Sequence, residues 1–353
     1  MRRRLALDAV AVGEGRMLGQ VAYAALIVVL AVALFFAYFW LTNRLLDRVL
    51  ATTPDMPGER ITRIDALRSR IRPWLFLAPA LLFLSVYLIY PVFETLRLSL
   101  FDRLGLHFIW FDNYKWLFSD STFWRTTLNN VGWLIIVPAV STALGLIVAV
   151  LADRLWWGVF AKTLIFMPMA ISFVGAAVIW RFVYAYRGPG LDQIGLLNAV
   201  VTSFGLEPQA WMQVPYLNSF LLMVILFWIQ TGFAMVILAA ALRGIPHETI
   251  EAARIDGANE RQIFFTVMIP QIAGTILVVW TTITIIVLKV FDIVYAMTNG
   301  EHDTQVLANL MYRWTFISGD SGRGSAIAII IMLAVLPVMI WNIRRARAAE
   351  GTS

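Results

Sequence analysis

The residue types that most often make and break bonds are thin in this chain. It has no cysteine, which removes disulfides, thiolate nucleophiles, CxxC redox motifs and cysteine-type zinc sites. Its three histidines, His107, His247 and His302, stand far apart without metal-ligand spacing and read as loop or interface residues. No GxxxxGK[ST] phosphate loop occurs anywhere. Gly319-Asp-Ser-Gly-Arg-Gly324 is glycine-rich but lacks the lysine and leads into an apolar run, so it reads as a loop before a helix. No acid/base cluster marks an embedded enzyme. What remains is hydrogen-bonding chemistry inside apolar stretches: Asn129, Asn130, Gln230, Thr231, Thr281, Thr282 and Thr284, with Trp228 and Phe233 as flat faces. Polar residues in such places usually face a cavity or another helix, and together these could hold a neutral, hydroxyl-rich solute. For the threonines the alternative is a bond back to a carbonyl of their own helix.

The elements that carry these residues follow from composition. Of 353 residues, 60% are apolar and 14% charged, against about 25% charged in a soluble domain. Mean hydropathy is +0.76. A soluble fold of this size could not hide that much apolar surface, whereas lipid can act as its solvent. A span needs about 20 apolar residues, and seven stretches qualify. They lie at Met17–Asn43, from Pro73 to before Glu94, between Arg125 and Asp153, between Lys162 and Arg181, from Val214 to Leu242, from Gln262 to Leu288 and between Arg323 and Arg344. The first part of the sixth reads as a cytoplasmic helix. The first is too long for a removable leader and is expected to be retained. The expected fold class is an all-α, multi-pass membrane bundle of about seven helices. Its expected organisation is an extra N-terminal helix and basic linker over 1–72, a bundle domain over 73–347 and a short tail over 348–353.

Basic residues set the orientation. Arg44, Arg48, Arg60, Arg63, Arg68, Arg70 and Arg72 fill one loop, and Arg344, Arg345 and Arg347 follow the last span. Both segments are expected in the cytoplasm. Seven spans then put the N-terminus outside, against the preference of Arg2, Arg3, Arg4 and Arg16. The net charge of +6 thus reads as topology, with no nucleic-acid partner. The outer loops, at about 94–125, 181–214 and 289–324, carry Trp110, Phe111, Tyr114, Trp116, Trp211 and Tyr312. These read as an interfacial aromatic belt first and a docking surface for an external partner second. Lys289 and Asp292, three apart, read as a helix-end ion pair first and a gate second.

The loop from Arg243 to Gln262 is legible in local physics. Pro246 suits a first helical turn, and Glu248 and Glu251 lie near its positive end. Gly257 can take the left-handed conformation that ends a helix. Asn259 can cap the next one. Glu251 and Arg254 have i,i+3 spacing for a weak pair. Small Ala252 and Ala253 leave the helix thin on one side, suited to a groove of a partner.

The same string, Glu251-Ala252-Ala253, three residues, Gly257, nine residues and Val267-x-Ile269-Pro270, resembles the EAA signature of the permease subunits of binding-protein-dependent ABC importers. Those usually end Ile-x-Leu-Pro, so Val267 and Ile269 depart from the pattern. Over about residues 73–343 the chain resembles sugar permeases related to the maltose system, on Phe291-Asp-Ile-Val-Tyr-Ala-Met-Thr-Asn-Gly300 and Met167-Pro168. Trp228-Ile-Gln-Thr-Gly-Phe233 and Lys289-Val-Phe-Asp292 look closest to α-glucoside systems of the trehalose, sucrose or maltose type.

The resemblance implies a type I importer permease fold in the bacterial inner membrane. It implies a second permease subunit, two cytoplasmic ATPase subunits that bind ATP and magnesium, and an extracytoplasmic sugar-binding protein. The loop over 243–270 would then hold the coupling residues Glu251, Ala252, Ala253, Asp256, Gly257 and Pro270. ATP-driven closure of the ATPase pair would rock the permease halves, with no catalysis and no cofactor on this chain. Spans four to six line the sugar path in such permeases, which adds Met169 to Asn130, Trp228, Gln230, Thr231, Phe233 and Thr284. Relatives carry asparagines near 283–290 where this chain has Ile283, Val287 and Val290. Another neutral or glycerol-phosphate-type solute is the alternative cargo. An ion-coupled transporter would need acidic residues or histidines within spans, and the spans hold almost none.

Overall fold

The computed structural model describes residues 2–51, 56–153, 155–188 and 190–350; side chains of 2–18, 342, 343 and 345–350 lie outside the description. The arginines at 2, 3, 4, 16, 345 and 347, and the last three residues of the tail, fall in those excluded parts. Among the described residues all regular structure is helical, apart from one isolated bridge between Phe101 and Phe108. The chain divides into two compact units, Met1–Val92 and Phe93–Ser353.

The first unit holds α1 (Arg2–Val49) and most of α2, which runs Gly58–Ser99 through a π turn at Ser85–Ile89. Apolar side chains cover α1 on every side, Leu26, Val29, Leu30, Phe35 and Phe36 among them, all exposed. A helix apolar all round needs lipid or protein about it. Asp47 pairs with Arg68 at 3.0 Å, and Arg72 donates to Asn43 Oδ1 at 2.8 Å. Three prolines, Pro73, Pro79 and Pro91, sit inside α2. Pro79 has no N–H for the carbonyl of Leu75 four residues earlier, and that oxygen accepts from the Tyr38 hydroxyl of α1 at 2.8 Å. In lipid an unpaired carbonyl is costly. Tyr38→Phe is therefore expected to destabilise the α1–α2 pair by about 1–3 kcal/mol, read as a lower thermal-unfolding midpoint in detergent with the chain still inserted.

The second unit opens with α3 (Asp112–Ser119) and α4 (Ser121–Asp153). Next come α5 (Gly158–Ala170) and α6 (Phe173–Val183), a pair bent by 107°. The fourth span expected from the sequence is thus two half-helices. Pro168 takes the chain into a 3-10 turn at Met167–Ala170, Ile171 is extended, and Ser172 caps α6 by accepting from Gly175 N–H at 3.1 Å. A short outer helix α7 (Leu196–Ser203) leads to α8 (Leu217–Arg243). The surface helix α9 (His247–Ile255) follows, then α10 (Glu260–Gln271) and α11 (Ala273–Leu288), bent by 69° where Pro270 precedes Ile272. Two short outer helices, α12 (Asp292–Met297) and α13 (Leu307–Tyr312, then a π turn at Arg313–Ile317), precede α14 (Ser321–Glu350). Among the described residues five helices are long and apolar enough to cross a membrane, or up to seven if each bent pair is one span.

The core sits around α8, where 67% of the apolar window is buried, against 0% for α1 and α2. Trp133, Val137, Leu222, Ile225, Leu226, Met235, Val279, Ile283 and Val287 meet there. A β-carbon at Gly132 would lie 3.8 Å from Met223, and one at Gly145 would lie 2.5 Å from the Ala234 β-carbon. So α4 and α8 run side by side in the same direction, in register. Small residues at the contact let the two backbones approach, which is how helices associate when both face lipid.

Candidate functional site: a surface coupling helix and a polar level in the bundle

The inner ends of the bundle converge on the loop between α8 and α11. Asp153 at the end of α4 pairs with Lys162 of α5 and lies 3.6 Å from Arg243 at the end of α8. From that anchor the chain turns through Gly244 and Ile245 into α9. Pro246 stands at the N-cap rather than within the first turn, where its missing N–H still costs nothing. Helix α9 ends in a Schellman motif. Gly257 has φ +83°, its N–H donates to Arg254 O, and Ala258 N–H donates to Ala253 O, both at 3.0 Å. Asn259 and Gln262 then form a complete capping box at the head of α10. Thus the turn is fixed by backbone hydrogen bonds on both sides.

Glu251 does not pair with Arg254. Arg254 donates instead to Glu260 at 2.9 Å, because the turn at Gly257 folds Glu260 back over α9. Glu251 is left exposed and takes no partner among the described residues. Ala252 and Asp256 are also exposed and Ala253 is half-buried, while Pro270 sits at the bend into α11. Ile255, missed by sequence reasoning, is 85% exposed. An apolar side chain among charges on a surface helix was the signal. A thin rod with a free carboxylate and a bare isoleucine at its tip offers both an apolar knob and a charge to a groove.

Half-way up the bundle lies the second feature. Gly232 allows α8 to touch the broken span: a β-carbon there would lie 2.5 Å from Ile165 O and 2.9 Å from Phe166 Cα. Beside it Gln230 and Thr231 are buried. Gln230 makes no hydrogen bond to any described residue, and the Thr231 hydroxyl is orphaned. The register of α4 on α8 puts Ser141 and Thr142, one turn before Gly145, at the same level, and their hydroxyls are orphaned too. Ser141 and Thr142 were missed because ordinary helix-facing hydroxyls carry no sequence signal. Trp228 packs edge-on against Trp180 at 5.8 Å. Phe233 is half-buried against the core, and Met169, 42% exposed, sits in the turn of the break.

The other polar candidates are occupied. Thr281, Thr282 and Thr284 donate to Leu277, Val278 and Trp280 carbonyls of their own helix. The Oδ1 of Asn130 accepts from Leu307 N–H at 2.7 Å, capping α13, and Asn129 donates to Asp303 O and Gln305 O. Both asparagines tie α4 to the outer loop. Lys289 and Asp292 form no ion pair, because the helix breaks at Val290 and Phe291 between them. Several outer aromatics are also tied inward. Trp116 packs on Trp314 with Arg323 over both rings, and Trp211 Nε1 donates to the buried Asn198. Trp110 and Phe111 remain exposed. His107 meets Asp102 at 2.9 Å in the outer loop; this bond, with Leu106 N–H, holds the Asp102 carboxyl down at about 2. Among the described residues no group of three histidines or carboxylates could hold a metal.

Comparison with known proteins accounts for this combination of broken spans and a capped surface helix. Residues 141–344 match the family described as binding-protein-dependent transport system inner membrane component. The α-glucoside transport system permease protein AglF of Rhizobium meliloti (strain 1021) is 60% identical over 333 residues, 94% of this chain and 99% of that protein. The osmoprotective compounds uptake permease protein GgtC of Synechocystis is 54% identical over 276 residues, 78% of this chain and 99% of that protein. In fold, the chain is similar to a subunit of a bacterial ABC transporter that imports the acidic polysaccharide alginate. That likeness has TM-score 0.69 at 19% identity, covering 80% of this chain and 99% of that one. This chain therefore belongs to the binding-protein-dependent transport system inner membrane components, as a multi-pass permease subunit of an ABC importer.

Proposed function

We propose that this permease subunit forms half of the path for an α-glucoside, handed to it by an external sugar-binding protein and driven by ATPase subunits docked on α9. The observation that carries the reading is 60% identity, over almost the whole of both chains, to a permease named for α-glucoside transport. The geometry supports it. Thr231, Ser141 and Thr142 supply unpaired hydroxyls at one level of the bundle, with the buried Gln230 amide beside them, next to the bend at Met167–Ala170, and none of them is charged. An uncharged polar level suits a neutral sugar. Broken helices beside a central polar level are also how many transporters build a binding site.

Glu251, Ala252 and Ile255 make the face that enters the ATPase groove and the half-buried Ala253 keeps the helix thin behind it; Asp256, Gly257 and Pro270 set its angle to the bundle. ATP and magnesium act on the ATPase chains, and a second permease subunit completes the path. The 54% identity to a permease for osmoprotective compounds favours a second reading, in which the cargo is a neutral osmoprotective solute.

The test is ATP hydrolysis by the complete importer with its binding protein and a panel of trehalose, sucrose, maltose and neutral osmoprotective solutes. Stimulation by the α-glucosides supports the first reading, and stimulation by the osmoprotectants alone replaces it with the second. Within the path, Gln230→Leu removes the primary amide at the polar level. It is expected to lower the uptake rate about tenfold, the worth of one hydrogen bond of about 1.5 kcal/mol. Co-purification with the ATPase should be kept. Unchanged uptake across the panel would take Gln230 off the path.

A further inference from the structure

At the outer end of α11 the chain builds a feature that the path at Gln230 does not use. Phe291 and Tyr295 stack with ring centroids 5.1 Å apart and planes at 21°. Tyr312 at the end of α13 meets both rings at 5.2 Å. Phe316, on the π turn, meets Tyr312 at 5.2 Å. The four rings make one continuous ladder. It is open in part: Tyr295 is 41% and Phe316 69% exposed, while Phe291 and Tyr312 are half-buried. Two of the four rings, those of Tyr295 and Tyr312, also carry phenol hydroxyls. The α9 loop lies at the opposite end of α10 and α11, which puts the ladder on the outer side.

An exposed aromatic ladder at a membrane boundary faces either lipid or a solute, and the charges nearby decide between them. Asp292 is one turn from Tyr295 on α12, and Lys289 is exposed just before the helix break. Neither has an ion-pair partner among the described residues. An unpaired carboxylate and ammonium are costly against hydrocarbon and cheap beside a water-filled path. Stacked aromatic rings, two of them phenols, with a carboxylate one helical turn away, fit a pyranose ring. Its C–H face lies on the rings and its hydroxyls meet the polar groups. Packing of these rings against acyl chains would hold the unpaired acid in hydrocarbon.

We propose that Phe291, Tyr295, Tyr312 and Phe316 form an outer subsite that stacks sugar rings on their way from the binding protein to the polar level at Gln230. This rests on the sugar reading above. Longer sugars, with more rings to stack, depend on it more. The proposal assigns these four side chains a share in selecting solute length, separate from the recognition made by the binding protein.

The test uses the complete importer in liposomes, with saturating loaded binding protein, and maltose and maltotriose as probes. Saturation removes the binding protein's own affinity from the rate. Tyr312→Leu is expected to cut sugar moved per ATP hydrolysed about fivefold, the worth of one aromatic stacking contact. The loss should be larger for maltotriose, and Tyr312→Phe should keep most of the yield. Equal yields in Tyr312→Leu and the parent for both sugars would overturn the subsite. A second measurement does not depend on Tyr312. The chain has no cysteine, so Phe316→Cys carries its one thiol. A charged, membrane-impermeant maleimide added outside should modify that thiol, and maltose-loaded binding protein with ATP should slow the reaction. Modification only by a lipid-soluble maleimide, or none at all, means that lipid or another subunit covers the ladder, and the proposal falls. A parent importer that moves neither sugar refutes the substrate reading instead, and the maleimide result still decides whether the ladder faces water.

Discussion

Gly257→Pro is expected to abolish uptake while the chain still inserts in the membrane. Gly257 sits at φ +83° and closes the Schellman motif with its own N–H. Proline locks φ near about −65° and has no N–H to give, so both requirements fail at once. Without the motif, α9 has no defined end and the Arg254–Glu260 bridge across the turn is lost. The helix proposed to dock on the ATPase then has no fixed direction. Gly257→Ala is the graded control. A β-carbon there meets nothing within 4 Å, so only the left-handed backbone is strained, by about 1–2 kcal/mol. Uptake should fall several-fold in the alanine variant and vanish in the proline variant. The measurement is radiolabelled sugar uptake alongside membrane content of the protein. Normal uptake with proline at 257 would detach the turn from coupling.

Gly232→Val carries the second large effect. Its β-carbon would meet a carbonyl oxygen and an α-carbon of the broken span, at 2.5 Å and 2.9 Å. Those are backbone atoms, which cannot swing aside as a side chain would. Overpacking of this kind costs about 1–3 kcal/mol or more. Here it would push Ile165 and Phe166, and with them the Met167–Ala170 turn, away from Gln230 and Thr231. Uptake is expected to fall at least tenfold, with a lower thermal-unfolding midpoint in detergent. Gly232→Ala should show a smaller loss in the same direction. A valine variant that transports at the parent rate would show that the bend does not border the path.

Local rules made part of this protein legible from its sequence. The turn at Gly257 and the cap at Asn259 depend on residues within four positions of each other, and capping chemistry is local. Span positions followed from hydropathy alone. The bend between α5 and α6 escaped notice because Pro168 lies inside an unbroken apolar run, and hydropathy says nothing of direction. The partner of Arg254 was misassigned for a related reason: spacing along a helix suggests Glu251, but the turn brings Glu260 closer. Asn130 and Leu307 are 177 positions apart, and no pattern of period 3.6 joins them. Ser141 and Thr142 became visible only once Gly145 fixed the register of α4 on α8.

The central claim is that α9 is the piece of this chain that an ATPase holds. Ile255 lies at its tip and is 85% exposed, and the chain has no thiol of its own. Ile255→Cys, labelled with a benzophenone maleimide and irradiated in isolated membranes, places a photoreactive probe at that tip. The account predicts an adduct between this chain and an ATPase subunit, strongest when nucleotide closes the ATPase pair and lost when Gly257→Pro is added. A probe that captures no ATPase subunit in any nucleotide state would contradict it.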